Sequence, residues 1–128
     1  MPEKTVAEKL LVKEGYRVSI VNPPTDYAGT LGRLPERVTS VEHGESNLDL
    51  IQLFVSSRKQ LEASLPSLKT ALKGNGLLWI TYPKGTSKVK VDVNRDTIAA
   101  YAKSIGLQEV AMVSIDDTWS ALRLKVVS

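Results

Sequence analysis

Residues 48–82, LDLIQLFVSSRKQLEASLPSLKTALKGNGLLWITY, decide the fold. Residues 48–55 form a nearly unbroken apolar run, the pattern of a strand covered on both faces. Ser57 and Gln60 have the spacing of a capping box, in which each side chain satisfies the other's backbone donor. Leu61, Leu65, Leu68 and Leu72 then recur at helical spacing and give one apolar stripe. Pro66 falls inside that stripe, so the helix is expected to kink there or to restart with Pro66 in its first turn. Gly74-Asn75-Gly76 predicts a left-handed cap and a tight turn, and residues 77–82 a second buried strand. A strand, a helix and a strand in this order make a right-handed crossover, which forces the two strands parallel.

Outward from this unit the pattern continues. Residues 5–11 predict a short amphipathic helix with Val6, Leu10 and Leu11 on its apolar side. Residues 16–21 are rich in β-branched side chains and read as a strand ended by Asn22-Pro23-Pro24. A short helix is expected over 25–31, stopped by Gly32, and a weak edge strand over 37–41. Beyond the loop at 83–93, Asn94 is a good N-cap for a helix that Gly106 ends near residue 105. Strands at 109–115 and 119–127 are joined only by a short turn at Asp116-Asp117, so they must be antiparallel. The prediction is one α/β domain spanning 1–128, with a mainly parallel Rossmann-like sheet, helices on both faces and an antiparallel C-terminal strand.

Composition narrows the function. With no cysteine and one histidine, His43, thiolate chemistry is excluded and too few nitrogen ligands remain for a typical zinc site; carboxylates are the one other ligand type for a metal, and no metal site is expected. The net charge is +3, with basic and acidic residues interspersed and aromatics only 5%, so nucleic acid is not an expected partner. No apolar run approaches the ~20 residues of a membrane span, and no signal peptide is evident. The expected location is the cytoplasm.

The order of elements, with Asp49-Leu50-Ile51, the leucine-rich helix, the glycine turn and Leu77-Leu78-Trp79-Ile80, resembles the class I methyltransferase variant of the Rossmann-like fold. Continued through Tyr82-Pro83-Lys84-Gly85, Asn94-Arg95-Asp96 and Asp117-Thr118-Trp119-Ser120, it also looks like a family of small bacterial proteins of unknown function. The methyltransferase resemblance implies a last strand inserted beside residues 77–82. It also implies a shortened sheet, because the chain passes from the second strand region into Leu48 without the usual extra helix and strand. In methyltransferases a glycine-rich turn after the first strand approaches S-adenosylmethionine. Here Asn22-Pro23-Pro24-Thr25-Asp26-Tyr27 stands in its place, and prolines lack backbone donors. Glu42 is where the family's ribose-binding acid would fall. The expectation is a cofactor-free relative, with Asn22, Tyr27 and Glu42 as what remains of a cofactor site.

Asn22-Pro23-Pro24 invites comparison with the Asn-Pro-Pro-aromatic motif of amino-methyltransferases, but it follows the wrong strand and reads as a strand-ending turn. The segment Tyr82-Pro83-Lys84-Gly85-Thr86-Ser87-Lys88 follows the carboxyl end of a parallel strand, where open α/β sheets place ligands. Tyr82, Lys84, Thr86, Ser87 and Lys88, with Asp117 opposite, would suit a small anion. The alternative is a solvated basic loop paired with Asp116 and Asp117. Trp119 reads as core. No reaction is named by these residues. The leading expectation is a small non-enzymatic binding module for an anionic small molecule or a protein partner. The alternatives are a minimal methyltransferase completed by an oligomer or partner, and an anion- or nucleotide-binding protein.

Overall fold

Strands that are apolar on both faces need helices above and below them, and the chain supplies both layers. The computed structural model describes residues 5–25, 27–41, 46–84 and 92–127. Its elements are α1 (Val6–Lys9), β1 (Arg17–Val21), α2 (Tyr27–Leu31), β2 (Thr39–Ser40), β3 (Leu48–Phe54), α3 (Arg58–Ala71), β4 (Leu72–Pro83), α4 (Arg95–Ser104), β5 (Leu107–Ser114) and β6 (Trp119–Val126). The six strands lie in the order β2-β1-β3-β4-β6-β5. β2, β1, β3 and β4 run parallel, and β6 inserts antiparallel between β4 and β5. This is a methyltransferase-like Rossmann fold, mostly parallel, with the predicted antiparallel C-terminal strand in its predicted place.

Alternation along each strand divides the core into two layers. On one face Ile51, Leu53, Leu78, Ile80, Leu122 and Leu124 meet Leu61, Leu65 and Leu68 of α3 and Ile98 and Ala102 of α4. On the other, Val18, Leu50, Phe54, Trp79 and Ala121 meet α1 and α2 through Ala7, Leu10, Tyr27 and Leu31. Trp119 joins this second layer, its ring edge-on to Phe54 at 5.1 Å, and Phe54 in turn meets Tyr27 at 4.7 Å. Its place is core, as the sequence suggested.

Local chemistry explains the helix ends. Asn94 caps α4 and exchanges hydrogen bonds with Thr97. Ser57 caps α3 by accepting from the Gln60 N–H at 3.1 Å. The reciprocal half of that predicted box is displaced by one residue, because the Gln60 carboxamide accepts from the Ser56 N–H instead, at 2.7 Å. α3 continues through Pro66. Proline cannot donate to the Glu62 carbonyl one turn earlier, and that oxygen receives the Tyr101 hydroxyl from α4 at 3.5 Å. α1 ends in a Schellman arrangement, with Leu11 N–H bonded to Glu8 O and Val12 N–H to Ala7 O. Leu11 takes the left-handed position, with φ 67, and is 38% exposed rather than part of the apolar face.

One expectation fails outright. Gly74-Asn75-Gly76 is not a left-handed cap, since neither glycine has a positive φ and β4 already begins at Leu72. Instead Leu48 pairs with Leu72 and Leu50 with Leu77, so β4 bulges over residues 73–76.

At the amino end of the sheet, Asp49 ties three strands. Its carboxylate accepts from the Arg17 N–H at 2.8 Å and from the Lys73 ammonium at 3.0 Å. Burial draws this carboxyl upward, but the Arg17 N–H and Lys73 outweigh it and hold it below its ordinary 3.8. A carboxylate lowered in the folded state stabilises above its unfolded pKa, and that stabilisation is lost as pH falls through the folded value. Urea unfolding followed from about pH 6 to pH 3 is expected to show a steeper acid loss in the native protein than in Asp49→Asn. Parallel losses would count against the clamp.

Candidate functional site

In a doubly wound sheet the ligand crevice opens where successive crossovers leave in opposite directions. Here that place lies between β1 and β3: β1 leads through α2 to β2 on one side, and β3 leads through α3 to β4 on the other. α2 and α3 pack on opposite faces of the sheet, as this reversal requires. Two short segments form the lips, Asn22-Pro23-Pro24-Thr25 after β1 and Ser56-Ser57 after β3.

Asn22 has φ 58, the left-handed conformation, and is exposed. Asparagine reaches this region at lower cost than most non-glycine residues. It therefore turns the chain sharply at a point where methyltransferases use glycine. Pro23 is exposed, and the Pro24 carbonyl accepts the Tyr27 N–H at 3.2 Å as α2 begins. The opposite lip is held by Gln60, whose carboxamide oxygen accepts from both the Ser56 N–H and the Ser56 hydroxyl. The first N–H of α3, from Arg58, is already taken by the Asp92 carboxylate at 2.8 Å. That internal anion satisfies a helix terminus that would otherwise attract one from solution.

Beneath the lips runs a buried polar relay that the sequence reading missed. The Tyr27 hydroxyl donates to Gln52 Oε1 at 2.7 Å, and Gln52 Nε2 donates to Thr81 Oγ1 at 2.9 Å. Gln52 and Thr81 are fully buried and Tyr27 is 5% exposed. Burial pushes the Tyr27 phenol up to about 12, despite the opposing Gln52 hydrogen bond, with the Asp116 charge adding to the rise. The phenol thus keeps its proton and links α2 to β3 and β4. The signal was a lone glutamine in an apolar run.

The candidates named from sequence do not gather at one place. Asn22 stands on the crevice lip, while Tyr27 lies below it, its hydroxyl committed to Gln52. Tyr82 is buried, with its hydroxyl donating to Met112 Sδ at 3.2 Å. Burial raises its pKa, which Arg95 opposes and Asp96 and Glu109 reinforce. The Lys84 ammonium donates to Ser114 Oγ at 2.7 Å, and its backbone N–H bonds the Thr118 carbonyl, also at 2.7 Å. Asp116 accepts from the Thr118 and Trp119 N–H groups in its own turn, while Lys84 is bonded to Ser114; the rest of the basic loop expected to pair with Asp116 and Asp117 lies outside the described residues. Asp117 is exposed beside it. Glu42, His43, Thr86, Ser87 and Lys88 lie outside the described residues.

A hollow of about 510 Å³ lies between α4 and β5 and includes Ala99, Lys103, Leu107 and Val127 in its lining. It sits where β5 begins, at the amino end of the parallel strands, and does not communicate with the switch point. Among the described residues no helix is long and apolar enough to cross a membrane.

This geometry defines a class of fold, and solved structures of that class superpose on nearly the whole chain. A TehB-like S-adenosylmethionine-dependent methyltransferase from Corynebacterium glutamicum aligns with 97% of this chain and 89% of its own, at TM-score 0.63 and 12% identity. DhpI, in complex with S-adenosylhomocysteine, aligns with 94% of this chain and 82% of its own, at TM-score 0.65 and 11% identity. A S-adenosylmethionine-dependent methyltransferase from Aquifex aeolicus aligns with 94% and 89%, at TM-score 0.63 and 15% identity. No family model matches the chain, and no curated protein matches it. At these identities the likeness is one of fold.

The likeness corrects the expectation of a cofactor-free relative. DhpI has this fold and is seen with both S-adenosylhomocysteine and S-adenosylmethionine. The expectation rested on a missing glycine turn and on prolines without backbone donors; Asn22 is left-handed there without a glycine, while Pro23 and Pro24 still donate nothing.

Proposed function

We propose that the chain is a small binding module that takes an adenosyl ligand, S-adenosylmethionine or its demethylated product. The ligand lies in the crevice over the carboxyl ends of β1 and β3. The observation that carries this reading is the switch of crossover direction between those strands, with Asn22 in left-handed conformation at its lip. Solved proteins of the same fold that hold these ligands support it. Pro23 and Pro24 contribute no backbone donors, so the polar contacts fall to the Asn22 and Thr25 side chains and to the serine lip. A phosphate site in the loop after Tyr82 has less support, because the Lys84 ammonium is already bonded to Ser114.

A second reading, a minimal methyltransferase completed by a partner or a second copy, has one observation in its favour. β2, the sheet edge beside the crevice, is only two residues long. A chain set against that edge would enclose the ligand on its open side.

Thermal unfolding with S-adenosylhomocysteine tests the binding. Ligand at 100 times its dissociation constant is expected to add about 2.7 kcal/mol, a rise of roughly 10 °C for a domain of this size. Asn22→Ala is expected to shrink the rise, and Lys125→Ala, on the far end of β6, to leave it unchanged. No rise at millimolar ligand, or an equal rise in the Asn22 variant, would sink the proposal.

A further inference from the structure

Packing requires that a glycine follow Asn75. A Cβ at Gly76 would lie 2.7 Å from both Cγ and Cδ1 of Leu72 and 3.1 Å from the Leu48 carbonyl oxygen. Leu72 is 8% exposed and starts the strand, so it has little room to yield. The Asn75-Gly76 pair also stands in the bulge of β4, outside the two flanking registers. Asn75 is exposed, and its carboxamide has no hydrogen-bond partner among the described residues. An exposed asparagine amide thus stands beside the backbone nitrogen of a residue that carries no Cβ.

We propose that Asn75 is a site of spontaneous covalent modification, in which the Gly76 amide nitrogen attacks the Asn75 side-chain carbonyl carbon. A bond forms between that nitrogen and Cγ, and the Cγ–Nδ2 bond breaks. The departing amide nitrogen leaves as ammonia, taking up the proton released from Gly76. The five-membered succinimide that results is opened by water at either carbonyl. Opening at one restores the backbone with aspartate at 75, and opening at the other leaves isoaspartate, with the backbone lengthened through the side-chain carbon. No oxidant or reductant takes part. Glycine favours the attack because it lacks the Cβ that would crowd the approaching nitrogen.

The structure also confines the reaction to this position among the four asparagines. Asn22 precedes Pro23, whose nitrogen carries no proton to release. Asn47 precedes Leu48, which is 1% exposed and paired in β3. Asn94 has its carboxamide oxygen bound to the Thr97 N–H at 2.9 Å. At Asn75 the product adds a carboxylate two residues from Lys73. Isoaspartate adds backbone length only within the bulge, so both flanking ladder pairings are retained.

The test is to hold the folded protein in warm, mildly alkaline buffer and map its peptides by mass spectrometry with isoaspartate detection. The urea-unfolded chain runs in parallel. The expected result is progressive conversion of Asn75 to aspartate and isoaspartate in the folded protein while the other three asparagines remain amides. Asn75→Gln, at an exposed position, is expected to fold normally and to abolish the product. Persistence of the Asn75 amide in the folded protein, or earlier conversion of another asparagine, overturns the proposal. If the unfolded chain reacts and the folded chain does not, the bulge protects the pair, and that too overturns it.

Discussion

Replacing Trp79 by alanine is expected to remove about 4–5 kcal/mol of stability, as urea unfolding would measure it. Trp79 is 1% exposed in the middle of β4 and is the largest fully buried side chain. Its ring fills the layer between the sheet and the N-terminal helices, beneath the guanidinium of Arg123 at 5.9 Å. Its indole N–H also donates to the Leu10 carbonyl at 3.0 Å, which fixes the end of α1 to the sheet. Alanine opens a cavity and leaves that carbonyl without its donor. Trp79→Phe keeps most of the apolar contact and loses only the hydrogen bond, so about 1–2 kcal/mol is expected. Trp119, the remaining tryptophan, reports unfolding by fluorescence in both variants. A loss under about 1 kcal/mol for the alanine variant would contradict the packing described for this layer.

The second large effect is expected at Gln52. Gln52→Leu keeps the side-chain volume and strands two buried partners, the Tyr27 hydroxyl and Thr81 Oγ1. Each orphaned group costs about 1–3 kcal/mol, offset in part by the apolar gain, so a net loss of about 2–4 kcal/mol is expected. Removing the whole relay is a different experiment. In Tyr27→Phe, Gln52→Leu, Thr81→Val combined, no donor or acceptor is left unpaired, and stability is expected to return to within about 1 kcal/mol of the native value. If the combined variant is as unstable as Gln52→Leu, the loss comes from shape rather than from unmet hydrogen bonds. The relay also bears on the site, because Tyr27 starts the helix that follows the Asn22 lip. Loosening it is expected to weaken ligand binding even where folding survives.

Much of this architecture is legible in the sequence because its signals are periodic and local. The leucine spacing from Leu61 to Leu72 specifies α3, the apolar run before it specifies β3, and the short Asp116-Asp117 link forces the final hairpin. What is not legible depends on partners distant in sequence. Gln52 bonds Tyr27 and Thr81, 25 and 29 residues away, and its own neighbours suggest only a buried strand. Gly76 misleads for a related reason. Glycine near a helix end suggests a positive φ, whereas here it is needed because Leu72 and the Leu48 carbonyl come too close for a Cβ. At the crevice, Pro23 and Pro24 drew attention to missing donors, although Asn22 beside them had the capacity for the left-handed turn it adopts. The same prolines read differently once the conformation of the residue before them is known.

The proposed binding crevice is the switch point between β1 and β3. Amide chemical shifts of the labelled protein, followed during titration with S-adenosylhomocysteine, test it most directly. The account predicts saturable shifts concentrated at Asn22, Thr25, Ser56 and Ser57, with the α4–β5 hollow around Ala99 and Val127 unmoved. Shifts confined to that hollow, or none at millimolar ligand, would contradict it.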